Sequence, residues 1–195
     1  GESLPLKSIE EMALIYYQEL RLAQPEGPYL LAGGSMGGLI ALEVARRIVE
    51  SGQEIDKIIM FDTFGPNLNL KSYKKRNSPP LLTRILKSVR YRFKDKFTYI
   101  LVRIYRNLGL KIPLSILLFE IEGQNYKAIW NYRPRGYKGD IHLIRSKITK
   151  DGWYSDPHMG WDGIINGEIK IFEISSTHEN FIESAELVKV LSKIL

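Results

Sequence analysis

The sequence predicts an α/β fold on a mostly parallel sheet, and three observations carry that expectation. Short apolar runs alternate with stretches of helical period over the first sixty residues. A glycine-rich turn joins the first run to the helix after it, and two more apolar runs return near the C-terminus after a long basic segment.

The elements follow in order. Ser8-Ile9-Glu10-Glu11 has the form of a capping box, and Ile9, Met12, Ala13, Tyr16, Leu20 and Leu22 follow at helical spacing, so a helix is expected from about Ile9 to Ala23. Pro25-Glu26-Gly27-Pro28 stops it, and Tyr29 to Ala32 reads as a buried strand. The cluster Gly33-Gly34-Ser35-Met36-Gly37-Gly38 opens into a helix over Leu39 to Val49 that ends near Gly52. Ile55 to Phe61 is a second strand, closed by Asp62. Beyond Pro66 the pattern changes: Pro79-Pro80 precedes Leu81 to Leu108, read as two or more helices, and Pro113 starts another helix reaching about Tyr132. Asp140 to Ser146 and Glu168 to Ile174 are two further core strands, and Phe181 to Leu195 forms a closing helix.

The composition narrows the function. Hydrophobic residues at 44% and charged residues at 26% of 195 suit one globular domain with a real core, which excludes a disordered or fibrous chain. No run of 18 apolar residues and no basic-then-apolar leader is visible, so a cytoplasmic protein without membrane partners is expected. With no cysteine there is no disulfide, thiolate site or cysteine nucleophile, and His142, His158 and His178 lack ligand spacing, so no metal is expected. Between Pro66 and Asn125, thirteen Lys or Arg face three acids, a balance of +10 that leaves 6 − 10 = −4 for the rest. No base-stacking module accompanies that charge, which argues against nucleic acid and leaves a solvated helical face or an acidic protein partner.

Gly33-Gly34-Ser35-Met36-Gly37 fits G-x-S-x-G between a buried strand and a helix, the context in which a sharp turn lifts a serine hydroxyl out of the sheet. Crowding at that turn is the expected reason for its flanking glycines. A phosphate-binding loop would share the spacing of Gly33 and Gly38, but Leu39-Ile40 stands where the Lys and Ser/Thr would be. A serine needs a base. His142 lies inside a strand and His158 in the polar loop Ser155 to His158. His178 follows the last strand, in the chain order serine, acid, histidine of α/β-hydrolases, and is the expected base. The acid that orients it should end a strand, and by pattern alone Asp62 and Asp151 are even.

These residues resemble the thioesterase domains of nonribosomal peptide and polyketide synthases, over nearly the whole chain. The stretch Gln24 to Tyr29, Gly34-Ser35-Met36-Gly37-Gly38 and Ala41-Leu42-Glu43-Val44-Ala45 is similar to the nucleophile region of that family; Asn125, Tyr132, Pro134, Tyr137 and Gly139, and then Gly160-Trp161 before His178, match its later pattern. The resemblance implies an α/β-hydrolase fold, a parallel sheet flanked by helices with a core of residues 1–65 and 126–195, and a helical lid over about 66–125. It moves the choice of acid to Asp62, with Ser35 and His178 completing a triad and the Met36 amide serving the oxyanion hole. It implies a carrier protein bearing the acyl or peptidyl chain on phosphopantetheine, and no cofactor bound directly. The basic face of the lid, Lys74, Lys75 and Arg76 included, could meet that acidic carrier. Family members usually begin with two or three more strands and a loop giving the second oxyanion amide, so this sequence corresponds to the family from the helix before the nucleophile strand onward. A discrete editing thioesterase and a noncatalytic carrier-binding module are the rival expectations.

Overall fold

The computed structural model describes residues 6–67, 97–147 and 156–195. The chain divides into two compact units, one of Gly1–Ser8 with Asn77–Asn131 and the other of Ile9–Arg76 with Tyr132–Leu195.

The second unit is the α/β body. Helix α1 runs Ile9–Ala23, β1 Tyr29–Gly34, α2 Met36–Glu50, β2 Ile55–Phe61, β3 Ile141–Ser146, β4 Ile169–Ile174 and the last helix, α4, Ala185–Ile194. The four strands form one sheet in the order β1-β2-β3-β4, and every neighbouring pair is parallel. Parallel strands need crossovers, and α2 supplies the first, packing on β1 and β2 while α1 packs on α2. Helix α2 starts three residues earlier than its pattern suggested, at Met36, directly behind Ser35. The closing helix is shorter than expected, because residues 175–184 form the loop that carries His178.

Ile59, Ile144 and Ile174 from three successive strands share one buried cluster with Phe181, Leu187 and Ile194, so α4 covers that face of the sheet. Pleating sends Ile58, Met60 and Leu143 to the other face, where each is also fully buried. This two-sided burial explains the unbroken apolar stretch Ile58-Ile59-Met60-Phe61 in β2.

β1 is different. It forms one edge of the sheet, and Leu30 is 45% exposed on it. Tyr16 and Leu22 of α1 are also exposed. An apolar groove of about 300 Å³ lies there, lined by Tyr16, Leu20, Leu31, Gly37, Ile40 and Val44.

Tyr132, the first residue of the body after the intervening unit, is locked in place by burial and by a hydrogen bond from its hydroxyl to Glu43 Oε2 at 3.2 Å. Glu43 is buried too, and Arg46, one turn along α2, pairs with it at 3.3 Å. A carboxylate in the core is tolerable only with such partners. Burial, followed by the neighbouring Glu43 charge, pushes the Tyr132 phenol well above its ordinary range.

In the other unit, residues 97–107 are helical and α3 spans Leu114–Asn131. Gly109 takes a left-handed φ of 66° between them, and the Pro113 carbonyl accepts from the Ile116 and Leu117 amides as α3 begins. Arg106 pairs with Glu120 at 3.4 Å. Residues 68–96 of the expected lid, Lys74, Lys75 and Arg76 among them, lie outside the described residues, as does Asp151. No helix among the described residues is long and apolar enough to cross a membrane.

Candidate active site

Because all four strands are parallel, their carboxyl ends share one edge, and the residues singled out from sequence fall there. Ser35 follows β1, Asp62 follows β2, Ser146 ends β3 and His178 lies in the loop after β4.

Ser35 sits in a strained turn. Its φ of 51° and ψ of −119° are costly for a residue with a Cβ, on the order of 1–3 kcal/mol. Its amide donates to the Phe61 carbonyl at 2.8 Å, and its own carbonyl accepts from Gly38 at 3.1 Å, which together hold the bend. Its side chain makes no capping bond to α2, so the hydroxyl is not consumed in capping the helix. Met36 opens that helix, where the first amides have no intrahelical acceptor and favour negative charge.

The crowding expected at the flanking glycines falls on two positions only. A Cβ at Gly33 would lie 2.2 Å from the Gly37 carbonyl oxygen, and one at Gly38 would lie 2.1 Å from Thr63 Oγ1. At Gly34 the contacts would be ordinary, and at Gly37 a Cβ would meet nothing within 4 Å. The close approach is between the start and end of the turn, and between α2 and the segment after β2, rather than at the serine's immediate neighbours.

Asp62 is 1% exposed and also left-handed, with φ 44°. Asp tolerates that region better than most residues, but the cost recurs one strand away from Ser35. Its amide is tied to the Ile144 carbonyl at 2.9 Å. Its carboxylate accepts from three donors: the Ser146 amide on Oδ1 at 2.7 Å, the Ser146 hydroxyl on Oδ2, and His178 Nδ1 on Oδ2 at 3.2 Å. Burial by itself would raise this carboxyl, but the hydrogen bonds from His178 and from both groups of Ser146, with the His178 charge, outweigh it and hold the carboxyl below its usual range.

His178 is half exposed, facing Asp62 on one side and the Phe64 ring at a centroid distance of 6.4 Å. The Asp62 bond raises its pKa above the ordinary imidazole value against a smaller opposing effect of burial. Its loop is pinned at both ends. The Ser175 amide donates to Glu186 in the first turn of α4 at 2.6 Å, and Phe181 is buried against Phe61.

The other histidines are elsewhere. His142 stacks on Phe172 at 6.0 Å inside the sheet, with its Nδ1 buried and unpartnered among the described residues; burial, then the charges of Lys170 and Lys57, lower its pKa. His158 pairs with Asp162 at 2.6 Å.

Two contributors were given no role at the site by the sequence reading, although Gly160-Trp161 was marked there as part of the family pattern. One is Ser146, whose signal was a hydroxyl residue ending the strand next to the one Asp62 closes. The other is the loop around Trp161. This side chain is fully buried and donates from Nε1 to the Thr63 carbonyl at 2.9 Å, while the Met159 carbonyl accepts from Gly65 at 2.8 Å. Met159 is the third non-glycine residue with positive φ among the described residues, so all three lie in or against the turns that follow β1 and β2. The loop braces the segment immediately after Asp62. A tryptophan in a polar, glycine-rich stretch was the available clue.

Comparison with known proteins finds relatives along nearly the whole chain. The family model described as "Thioesterase domain" matches residues 1–194. A dimodular nonribosomal peptide synthase of Bacillus subtilis is 25% identical over 97% of this chain, and a non-reducing polyketide synthase of Arthrinium sp. is 31% identical over 94% of it. The chain spans only 8% and 10% of the length of those two relatives. Among solved structures, the NocB thioesterase domain in covalent complex with a fluorophosphonate nocardicin G analog superposes with a TM-score of 0.63 at 23% identity, covering 99% of this chain and 75% of that one. YbtT, a type II thioesterase from the yersiniabactin NRPS/PKS pathway, gives 0.61 at 17%, covering 97% and 73%. The strained serine turn, the parallel sheet with its carboxyl-edge residues and the match along the chain have one common reading: this chain belongs to the thioesterase domain family of nonribosomal peptide and polyketide synthases, with the α/β-hydrolase fold.

Proposed function

We propose that Ser35, His178 and Asp62 act as a catalytic triad that releases an acyl, peptidyl or polyketide chain from the phosphopantetheine thioester of a carrier protein. The observation that carries this is the bond from His178 to a buried Asp62, with a serine held in left-handed backbone at the same carboxyl edge of the sheet. Asp62 keeps the imidazole in the tautomer with Nδ1 protonated, which leaves Nε2 to take the proton of the Ser35 hydroxyl as it attacks the thioester carbonyl. The oxyanion is met by the Met36 amide at the head of α2. Collapse expels the thiol, protonated by His178, and leaves an acyl-serine; water or a nucleophile within the chain then releases a free acid or a ring. No group beyond the carrier's own phosphopantetheine is required.

The test is trapping with a fluorophosphonate. Labelling at Ser35 that is lost in Ser35→Ala supports the reading; an unlabelled complete domain would support the noncatalytic carrier-binding module instead. The likeness to YbtT favours a second reading, a discrete editing thioesterase. Faster release of short acyl groups than of full-length chains from the same carrier would select it.

A further inference from the structure

We propose that Ser146 is a positioning residue of this site: its hydroxyl, donated to the Asp62 oxygen that also faces His178, fixes that oxygen and limits how strongly it holds a proton on the imidazole. The inference rests on the catalytic reading above and assigns a residue that reading does not use.

The geometry is a two-point clamp. Ser146 gives its amide to Oδ1 and its hydroxyl to Oδ2, so one residue spans both carboxylate oxygens and stops the group from rotating. The amide would be supplied by any residue at this position except proline. The hydroxyl requires Ser or Thr. Both Ser146 and Asp62 are 1% exposed, so water does not compete and the bond acts at low dielectric. Oδ2 therefore carries two donors, the Ser146 hydroxyl and His178 Nδ1. Charge drawn toward one is withheld from the other.

The remaining charged groups nearby do not substitute for it. Glu179 adds a second negative charge beside His178. Arg145 and Lys147, the chain neighbours of Ser146, are both paired with Glu173 on β4. Removing the hydroxyl thus leaves Oδ2 to His178 alone. The imidazolium is then better stabilised, and less of the neutral base exists at a given pH.

The experiment is the pH dependence of Ser35 labelling by a fluorophosphonate in the wild type, Ser146→Ala and Ser146→Thr, with NMR titration of the His178 ring in the same proteins. Ser146→Ala keeps the amide bond to Oδ1 and differs from the native residue by one oxygen, so the fold is retained. The expected result is an acid limb moved up by roughly half to one pH unit in Ser146→Ala, the same displacement in the ring titration, and a profile restored toward wild type by Ser146→Thr. An unmoved limb, or a uniform loss of rate at every pH with an unmoved ring titration, overturns the inference and leaves the triad standing. A wild type that does not label at Ser35 removes the catalytic reading, and this inference with it.

Discussion

The two flanks of the sheet are built to different standards. Over β2 and β3 the sheet is buried on both faces, with Ile58, Met60, Leu143 and Ile144 at 0% exposure, α4 covering one side and the Trp161 loop bracing the turn after Asp62. At β1 the edge is open, Leu30 is 45% exposed, and an apolar groove runs between α1 and α2. Asp62 is on the closed flank. Its carboxylate keeps a fixed orientation because the groups around it are hydrogen-bonded and dry, whereas an anion facing water would lose most of that advantage to screening. The serine turn lies at the boundary between the flanks, with Gly38 against Thr63 on the closed side and Gly37 lining the open groove.

The largest effect that could break this contrast is chemical. Asp62→Asn should lower turnover of a thioester about a thousand- to ten-thousand-fold, because the amide stabilises the wrong imidazole tautomer. A smaller loss there than in Asp151→Asn, by steady-state kinetics, would move the acid off the closed flank. Next come the glycines. Gly33→Ala forces a Cβ to within 2.2 Å of a backbone oxygen and should cost about 3 kcal/mol or more in urea unfolding, with loss of Ser35 labelling. Gly37→Ala, facing the groove, should change stability by less than about 1 kcal/mol in either direction.

Packing sharpens the comparison further. Ile144→Ala, in the sealed cluster, should destabilise by about 2–4 kcal/mol. Leu30→Ala, on the open edge, should cost under about 1 kcal/mol in the same denaturation experiment. Equal costs would mean that the edge is covered in solution.

The smallest effect is the linkage of stability to pH. The folded-state pKa of His178 is raised, so its bond to Asp62 contributes stability below the unfolded imidazole value near 6.5, and that contribution fades as pH rises through the folded value. For Asp62 the sign is opposite: a lowered pKa contributes above the unfolded carboxylate value and is lost as pH falls through the folded one. The stability difference between wild type and His178→Gln should therefore be larger at pH 5.5 than at pH 9. A difference that grows on going to pH 9 would contradict the Asp62–His178 bond.

Much of this was legible in the linear sequence. β1, β2, β3, β4 and α1 declared themselves through local composition and period, and Ser35 through a motif whose chemistry is local. Helix α1 runs over the residues its spacing marked, Ile9–Ala23. Those features depend on residues a few positions apart.

The rest depended on distance along the chain. Asp62 and Asp151 were equivalent by strand pattern, and it took a family resemblance to prefer one; the bond from Asp62 to His178 joins residues 116 positions apart. Ser146 is 84 positions from the carboxylate it clamps, and Trp161 is 98 from the carbonyl it holds. The sequence by itself determined which segments become strands and helices and which serine stands in the sharp turn, since hydrophobic period and glycine placement act locally. Only the tertiary structure decided which acid meets which histidine and what holds that acid still, because hydrogen bonds between strand ends exist once the sheet has set its strand order and register.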